Sequence, residues 1–540
     1  MIRDDVGKFG ELNELTNRRS ERLQEGFKNY IANVMVDLVM SPRLVRCRSI
    51  VPAIYREQIK CNYSWGTFLG NLLRLLNRSG GVRSRCPDFV VSVESFHKAP
   101  LIEYMKCVNE DMKFEVALLG DYGCKSQPLK LYWFARVVKV VGYRLLLRYE
   151  GMDQDGDSTY DFWVNISSQD IKPIGYCARN VATRALVPPQ VIYDRRSNWR
   201  QYIFDQIPFC KTLCISWPEI LVRELKSSKF KKGDEVELLD SIYRLRVRPA
   251  FVKQIIGSRI WVAVSEKFMI GPTIIKGDPQ LGDGIWMDQN SPIIFPIGWS
   301  RRLGYMLEAN RDYFKHLEEI SATLQPQSSG ESREKRDVSP SISQITSEGV
   351  EVKWQKGMKL EVLDPFGAWN ELRVSTVAAV MNDGFLKITF DGEMDHYAVP
   401  LHFTSELLFP VGYGAKYDLA LKKPKNVTTP GNFDWDAYLR ETNAVAAPEE
   451  LFHAFKDDVL CNFKIGAKLE AVDMCEPQLI CPAAVSSHHG RLLKISYDGW
   501  DSSYNQLFDY RSPNIFPLGW CEMNGYRLTT PAMSKKRKRS

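Results

Sequence analysis

Between Arg491 and Tyr497 the side chains alternate, and Leu492, Leu493 and Ile495 supply β-favouring bulk, so the stretch predicts a strand ending at Tyr497. Asp498-Gly499 follows, a dipeptide that turns the chain between paired strands. Trp500 falls on that turn and Tyr504 at the start of the next strand, while a shorter strand is predicted over Lys468–Val472, with Asp473 in the loop behind it. One hairpin thus supplies three rings, and a neighbouring loop supplies a carboxylate. Rings hold a cation through the negative potential of their faces, at roughly 0.5–2 kcal/mol per good contact. The arrangement predicts an electronegative cup for an organic cation. The plainer reading of aromatics on a hairpin is cross-strand packing, and spacing alone leaves both open.

The same pattern recurs along the chain, which favours the first reading. A tail of Pro, an apolar residue, Gly and an aromatic residue occurs at Pro173–Tyr176, Pro296–Trp299, Pro410–Tyr413 and Pro517–Trp520, at intervals of 123, 114 and 107 residues. Each tail closes a strand-rich block, and the blocks open alike, at Met112–Glu115, Gly233–Glu237, Gly357–Glu361 and Gly466–Glu470. Ahead of each block an arm of helical character carries Trp65/Phe68-Leu69, Trp199/Tyr202, Tyr313/Leu317 or Trp435/Tyr438-Leu439. Four copies of one unit account for most of the chain.

Composition narrows the class without naming it. A chain of 540 residues is too long for one core and implies three to five domains. Its 72 basic and 65 acidic residues nearly cancel, so the net charge of +7 is no signature of nucleic-acid binding. Twelve cysteines occur without a Cys-x-x-Cys pair, which predicts reduced thiols and neither a zinc site nor a disulfide framework. The apolar run Ile31–Met40 contains Asp37 and is too short to span a bilayer, and no membrane or secretory segment is predicted. Phosphate-binding loops, Gly-x-Gly-x-x-Gly, His-Glu-x-x-His and Gly-x-Ser-x-Gly are all missing. His488-His489 falls on a predicted hairpin turn without metal-ligand spacing. These patterns predict no enzyme, no cofactor and no small-molecule substrate.

Taken together, the arm, the Gly-Met-Lys-Leu-Glu-x-x-Asp opening (Gly357–Asp364), the Tyr497-Asp498-Gly499-Trp500 turn and the Pro-Leu-Gly-Trp-Cys tail (Pro517–Cys521) resemble the malignant brain tumour (MBT) repeat. The match covers roughly residues 60–522, and four tandem copies are similar to the four-repeat chromatin proteins of the l(3)mbt-like and Sfmbt type. No cysteine-paired zinc finger precedes the repeats and too few residues follow Cys521 for a SAM domain, a stripped-down plan like that of nematode members. The resemblance implies a mainly β fold: four Tudor-like β-barrels, each with an N-terminal helical arm packed on a neighbouring repeat. The expected divisions are an extension (1–60), repeats at 61–180, 195–301, 308–414 (with a polar insertion, 325–348) and 432–522, and a basic tail (523–540). It further implies binding of lower methylated lysines on histone H3 or H4 tails, transcriptional repression and partner proteins in a repressor complex.

Carried over residue by residue, the family's cage aspartate falls on Asp473 and its rings on Tyr497, Trp500 and Tyr504. Glu476 stands where the family has Asn, which adds a carboxylate and leaves the preferred methylation state open. Repeat 3 matches at Asp364, Phe390 and Tyr397 but has Glu393 for the tryptophan. Repeat 2 keeps Asp240, places Ser265 at the first ring and rewrites the hairpin with Gly271-Pro272. Repeat 1 has Leu118 for the aspartate and keeps Tyr149 and Tyr160. Repeat 4 alone is complete, and the others are expected to act as a scaffold or to dock protein partners. Two flanking features remain. Arg43, Arg46, Arg48, Arg56, Arg74, Arg78, Arg83 and Arg85 form either a solvated surface or a weak contact with nucleosomal DNA. Lys535, Lys536, Arg537, Lys538 and Arg539 predict a nuclear-import signal.

Overall fold

The computed structural model describes residues 89–529 except 125–126, 153–159, 180–183, 208–209, 227, 271–279, 281–283, 325–352, 426, 428–432 and 453–461. The first arm (Trp65, Phe68, Leu69), the run Ile31–Met40, the N-terminal arginines, Gly271-Pro272, the insertion 325–348 and the basic run 535–539 lie outside the described residues.

Each predicted block folds as a curled sheet of five antiparallel strands, to which a short strand after the tail adds in parallel beside the second strand in repeats 1 to 3. In repeat 4 the strands are Lys468–Val472, Ile480–His489, Leu492–Tyr497, Gln506–Asp509 and Ile515–Phe516, hydrogen-bonded in the order fourth, third, second, first, fifth. The last strand returns to pair with the first, so the sheet bends round on itself. The same order is found in the sheets that open at Lys113–Cys124, Glu235–Leu239 and Lys359–Val362. The curl has a local cause. In every repeat the second strand slips register once, between Val137 and Lys139, Val252 and Gln254, Val377 and Ala379, and Val485 and Ser487. One extra residue at that point bends the strand and sharpens its twist.

The two motifs that recur in sequence meet in space. The glutamate of each opening strand is wholly buried, and its two oxygens accept main-chain N–H groups from the tail of the same repeat. Glu115 takes those of Gly175 (2.6 Å) and Cys177 (2.8 Å), and Glu237 those of Gly298 (2.8 Å) and Ser300 (2.7 Å). Glu361 takes Gly412 (2.9 Å) and Gly414 (2.7 Å), and Glu470 takes Gly519 (2.7 Å) and Cys521 (2.8 Å). The tail glycine sits at φ 81–90°, a left-handed conformation that turns both N–H groups toward one carboxylate. The tail aromatic then stacks on the last strand, Trp520 on Phe516 at 4.0 Å and Trp299 on Phe295 at 3.8 Å.

The chain divides into two compact units, residues 1–94 with 100–224, and residues 95–99 with 225–540. The first holds repeat 1 and the helix Trp199–Gln206, whose Trp199 meets Trp133 edge-on and whose Tyr202 hydroxyl donates to Glu150 (3.0 Å). The second holds repeats 2 to 4. There Tyr313 packs on Phe268, and Trp435 Nε1 donates to Glu361 (2.8 Å) while Tyr438 donates to Asp391 (2.8 Å). Each of these three described arms therefore lies on the sheet that precedes it in the chain. His488 and His489 end the second strand of repeat 4, and the turn falls on Gly490 (φ 62°) rather than on the histidines. They are spent on structure, His489 Nδ1 on the Tyr417 carbonyl (2.7 Å) and His488 Nε2 on that of Phe463. Among the described residues no helix is long and apolar enough to cross a membrane.

Candidate functional site

The hairpin of repeat 4 presents its rings at graded depth. Tyr497 closes the third strand, opposite Ala483, and is 5% exposed, with its hydroxyl in hydrogen-bond reach of the Val472 carbonyl (2.7 Å) and Gln506 Oε1 (2.8 Å). Burial pushes that hydroxyl well above its usual range, so it stays a neutral donor. Gly499 (φ 83°) makes the turn, and Lys468 fixes it by donating to Asp498 (2.6 Å). Trp500 and Tyr504 follow, 39% and 54% exposed, with ring centroids 5.4 Å apart at 62°. Tyr504 lies on a short 3-10 helix, Ser502–Tyr504, rather than on the next strand, because Asp501 caps that turn through the Ser503 N–H (3.0 Å). The floor ring is buried and the two wall rings face solvent.

Asp473 stands beside Tyr497. Its Oδ1 accepts from the N–H groups of Cys475 (2.9 Å) and Glu476 (3.4 Å) and from Gln506 Nε2 (2.8 Å). Every hydrogen bond described at this carboxylate goes to Oδ1, and among the described residues no cation pairs with Oδ2. The equivalent aspartates are engaged differently. In repeat 2, Asp240 caps the next turn with Oδ1 while Oδ2 pairs with Arg246 (2.6 Å) and Arg248 (2.7 Å). In repeat 3, Asp364 Oδ2 pairs with Arg373 (2.7 Å), and Arg244, reaching over from repeat 2, donates to both oxygens (3.0 and 3.1 Å).

The strand registers explain the difference. Arg248 faces Leu238, Arg373 faces Val362 and Cys481 faces Ala471, the same sheet position in three repeats. Repeats 2 and 3 thus carry an internal arginine aimed at their own pocket carboxylate, and repeat 4 carries a cysteine. Burial pushes the Cys481 thiol up to about 12, so it brings no charge to Asp473. Sequence reasoning missed this residue, because only the pairing of strands aligns it with the arginines. The register also corrects the first ring of repeat 2. Val264, opposite Ala250, occupies the place of Tyr497, and Ser265 is one residue beyond. A slip of one residue along a strand changes the face, which no gap-free reading of the sequence detects.

Gln506 is the second residue that sequence reasoning missed. It bridges Asp473 and Tyr497, and it is buried where repeats 1, 2 and 3 place Phe162, Ile285 and Val399 opposite the same point of the third strand. A lone polar side chain at an inward strand position was the available signal. Glu476 lies further out. It is exposed, its carboxylate accepts from Gln478 (3.3 Å), and it lines a cavity of about 1840 Å³ among repeats 2, 3 and 4 that contains none of Asp473, Tyr497, Trp500 and Tyr504. In repeat 3, Phe390 is buried, Tyr397 half-buried and Glu393 paired with Arg373 (2.9 Å) and Lys425 (2.8 Å). In repeat 1, Leu118 is buried in place of the aspartate, Tyr149 packs against Phe162 at a tilt (4.9 Å, 40°) and Tyr160 is exposed.

Comparison with known proteins identifies the repeat and the fold. The model of the mbt repeat matches residues 123–193, 235–314, 358–428 and 467–535. MBT domain-containing protein 1 of Homo sapiens is 35% identical over 482 residues, covering 88% of this chain and 68% of that protein. Protein lin-61 of Caenorhabditis elegans is 32% identical over 468 residues, covering 82% and 73%. The crystal structure of the four MBT repeats of Drosophila melanogaster Sfmbt in complex with the peptide RHR(me)K VLR aligns at a TM-score of 0.68 and 28% identity, covering 84% of this chain and 97% of that one. By sequence and by fold, the chain belongs to the MBT repeat family.

Proposed function

We propose that this protein is a non-enzymatic chromatin reader that binds methylated lysine in repeat 4. One observation carries the reading: among repeats 2 to 4, Asp473 alone keeps a carboxylate oxygen without an internal arginine, beside the exposed rings Trp500 and Tyr504. A methylammonium keeps its charge and sheds part of its hydration, which suits an aromatic wall. Asp473 Oδ2 accepts the remaining N–H, a charge-assisted bond. Trimethyl-lysine has no N–H to give, so mono- and dimethyl-lysine are the favoured guests. The complex of the Sfmbt repeats with a methylated-lysine peptide supports the assignment of substrate class. Histone tails, a nuclear location and a repressive role, with partner proteins of a repressor complex, follow from the same family context. The relative named Polycomb protein Sfmbt supports that context.

Titration calorimetry on un-, mono-, di- and trimethylated histone-tail peptides tests the proposal. Trp500→Ala, which removes one wall, lowers affinity for the methylated form about tenfold. Asp473→Ala lowers it between about tenfold and a hundredfold, the range of a charge-assisted hydrogen bond. Gln506→Leu leaves the rings but frees Asp473 to turn away from them, and costs about fivefold to tenfold. Binding that ignores methylation, or that survives both Trp500→Ala and Asp473→Ala, refutes the assignment and moves function to the protein-docking reading of the other repeats. Binding to duplex DNA that falls steeply with salt would instead mark phosphate-driven contact.

A further inference from the structure

The repeat 3 pocket is filled by the chain itself. Arg244 leaves the loop after strand Glu235–Leu239 of repeat 2 and places its guanidinium carbon 4.6 Å from the centroid of Phe366, 5.4 Å from Tyr397 and 5.9 Å from Phe390. Its Nη1 lies between both oxygens of Asp364, at 3.0 and 3.1 Å. Host and guest are buried, Asp364 at 3% and Arg244 at 7% exposure. The main chain that delivers the guest is held at both ends, since the Arg244 N–H donates to the His396 carbonyl of repeat 3 (2.9 Å) and the Tyr305 hydroxyl of repeat 2 donates to the Arg244 carbonyl. A cation presented on a pinned loop loses little freedom on entering.

We propose that the repeat 3 pocket is a guanidinium receptor whose resident ligand is Arg244, and that emptying it leaves a binding site for a free alkylguanidinium. The shape suits a flat cation. A methyl-lysine cage closes round a tetrahedral head, whereas here the position of the tryptophan wall belongs to Glu393, drawn aside by Arg373 and Lys425. A planar guanidinium stacks on rings and donates to a carboxylate in one pose, and an ammonium cannot do both as well. Arg373 stays in the emptied site, 4.2 Å from the Phe390 ring and bonded to Asp364, so free cations bind there weakly, in the millimolar range. The proposal concerns repeat 3 and does not depend on methyl-lysine binding in repeat 4.

Chemical rescue tests it. The full chain carries Trp500→Ala throughout, so that a cation entering repeat 4 adds nothing to the readout. Arg244→Ala is expected to lower the melting temperature by roughly 5 °C. Ethylguanidinium at 20 mM restores at least half of that loss, saturating with concentration, while ethylammonium at the same ionic strength restores less than a quarter. The protein that retains Arg244 shifts with neither. Equal rescue by both cations, no rescue, or the same shift with Arg244 present overturns the proposal. Should Arg244→Ala fail to fold, Arg244→Lys decides the matter. It keeps the charge but not the plane, and a melting temperature equal to that of the Arg244 protein would show a mere charge site and overturn the proposal as well.

Discussion

Cys481→Arg is expected to abolish methyl-lysine binding by repeat 4, lowering affinity at least about a hundredfold without unfolding the repeat. Position 481 faces Ala471 in the sheet, as Arg248 faces Leu238 and Arg373 faces Val362. Both arginines end 2.7 Å from the pocket carboxylate of their own repeat. An arginine at 481 therefore starts from a backbone position already known, twice in this molecule, to deliver a guanidinium to that aspartate. It takes the oxygen that the methylammonium N–H needs, a loss of about 1.5–3 kcal/mol. It also sets a like charge beside the incoming cation, a penalty of about 4 kcal/mol at 4 Å under an effective dielectric of about 20. Calorimetry with the best methylated peptide measures the effect, and circular dichroism checks the fold. Cys481→Met, of similar bulk near the Cα but without charge, keeps most of the affinity. If the methionine variant binds as poorly as the arginine variant, space and not charge governs the site, and the account of the silent repeats fails.

That prediction rests on features the sequence carries but does not display. The cage of repeat 4 is legible because its rings sit on one hairpin, where local spacing and a turn dipeptide suffice to place Tyr497, Trp500 and Tyr504. The four blocks are legible because each Glu and each Pro-x-Gly-aromatic tail recurs, and the structure gives the reason they recur together: the one binds the other's N–H groups. What stayed hidden depends on register or on distant contact. Cys481 and Val264 acquire meaning only once strands are paired residue by residue. Arg244 meets an aspartate 120 residues further on. That an arm packs on a neighbouring repeat was implied by the family resemblance, but not which neighbour: the described arms pack on the blocks behind them, as Trp435 does on Glu361. Loss of a pocket is equally poorly written in sequence. Repeat 3 keeps Asp364, Phe390 and Tyr397, yet its carboxylate is taken by its own Arg373 and by Arg244 from outside its boundaries.

Glu470→Gln is expected to destabilise repeat 4 by about 2–4 kcal/mol, although it changes neither the size nor the shape of the side chain. Glu470 is 0% exposed, and each oxygen accepts one N–H, from Gly519 at 2.7 Å and from Cys521 at 2.8 Å. A glutamine keeps one acceptor and turns an NH2 group toward the other donor. One buried N–H is then left without a partner, at about 1–3 kcal/mol, and the surviving bond loses the charge assistance of the ionised form, which is partial near neutral pH because burial pushes the Glu470 carboxyl up to about 7. The strand has no slack to relieve the clash, because Glu470 pairs with Pro482 on one side and Phe516 on the other. The consequence reaches the helix Trp520–Asn524, whose entry the carboxylate holds while Gly519 takes its left-handed φ of 88°. Calorimetric unfolding reads the effect as a fall of roughly 5–15 °C in the transition of the C-terminal repeat. Glu476→Gln serves as the control: the same chemical change on an exposed carboxylate of the same repeat moves stability by less than about 0.5 kcal/mol. Equal effects at 470 and 476 would mean that the glutamate is a packing group alone. A loss confined to 470 assigns it the task that all four repeats share, tying the last turn of each sheet to its first strand.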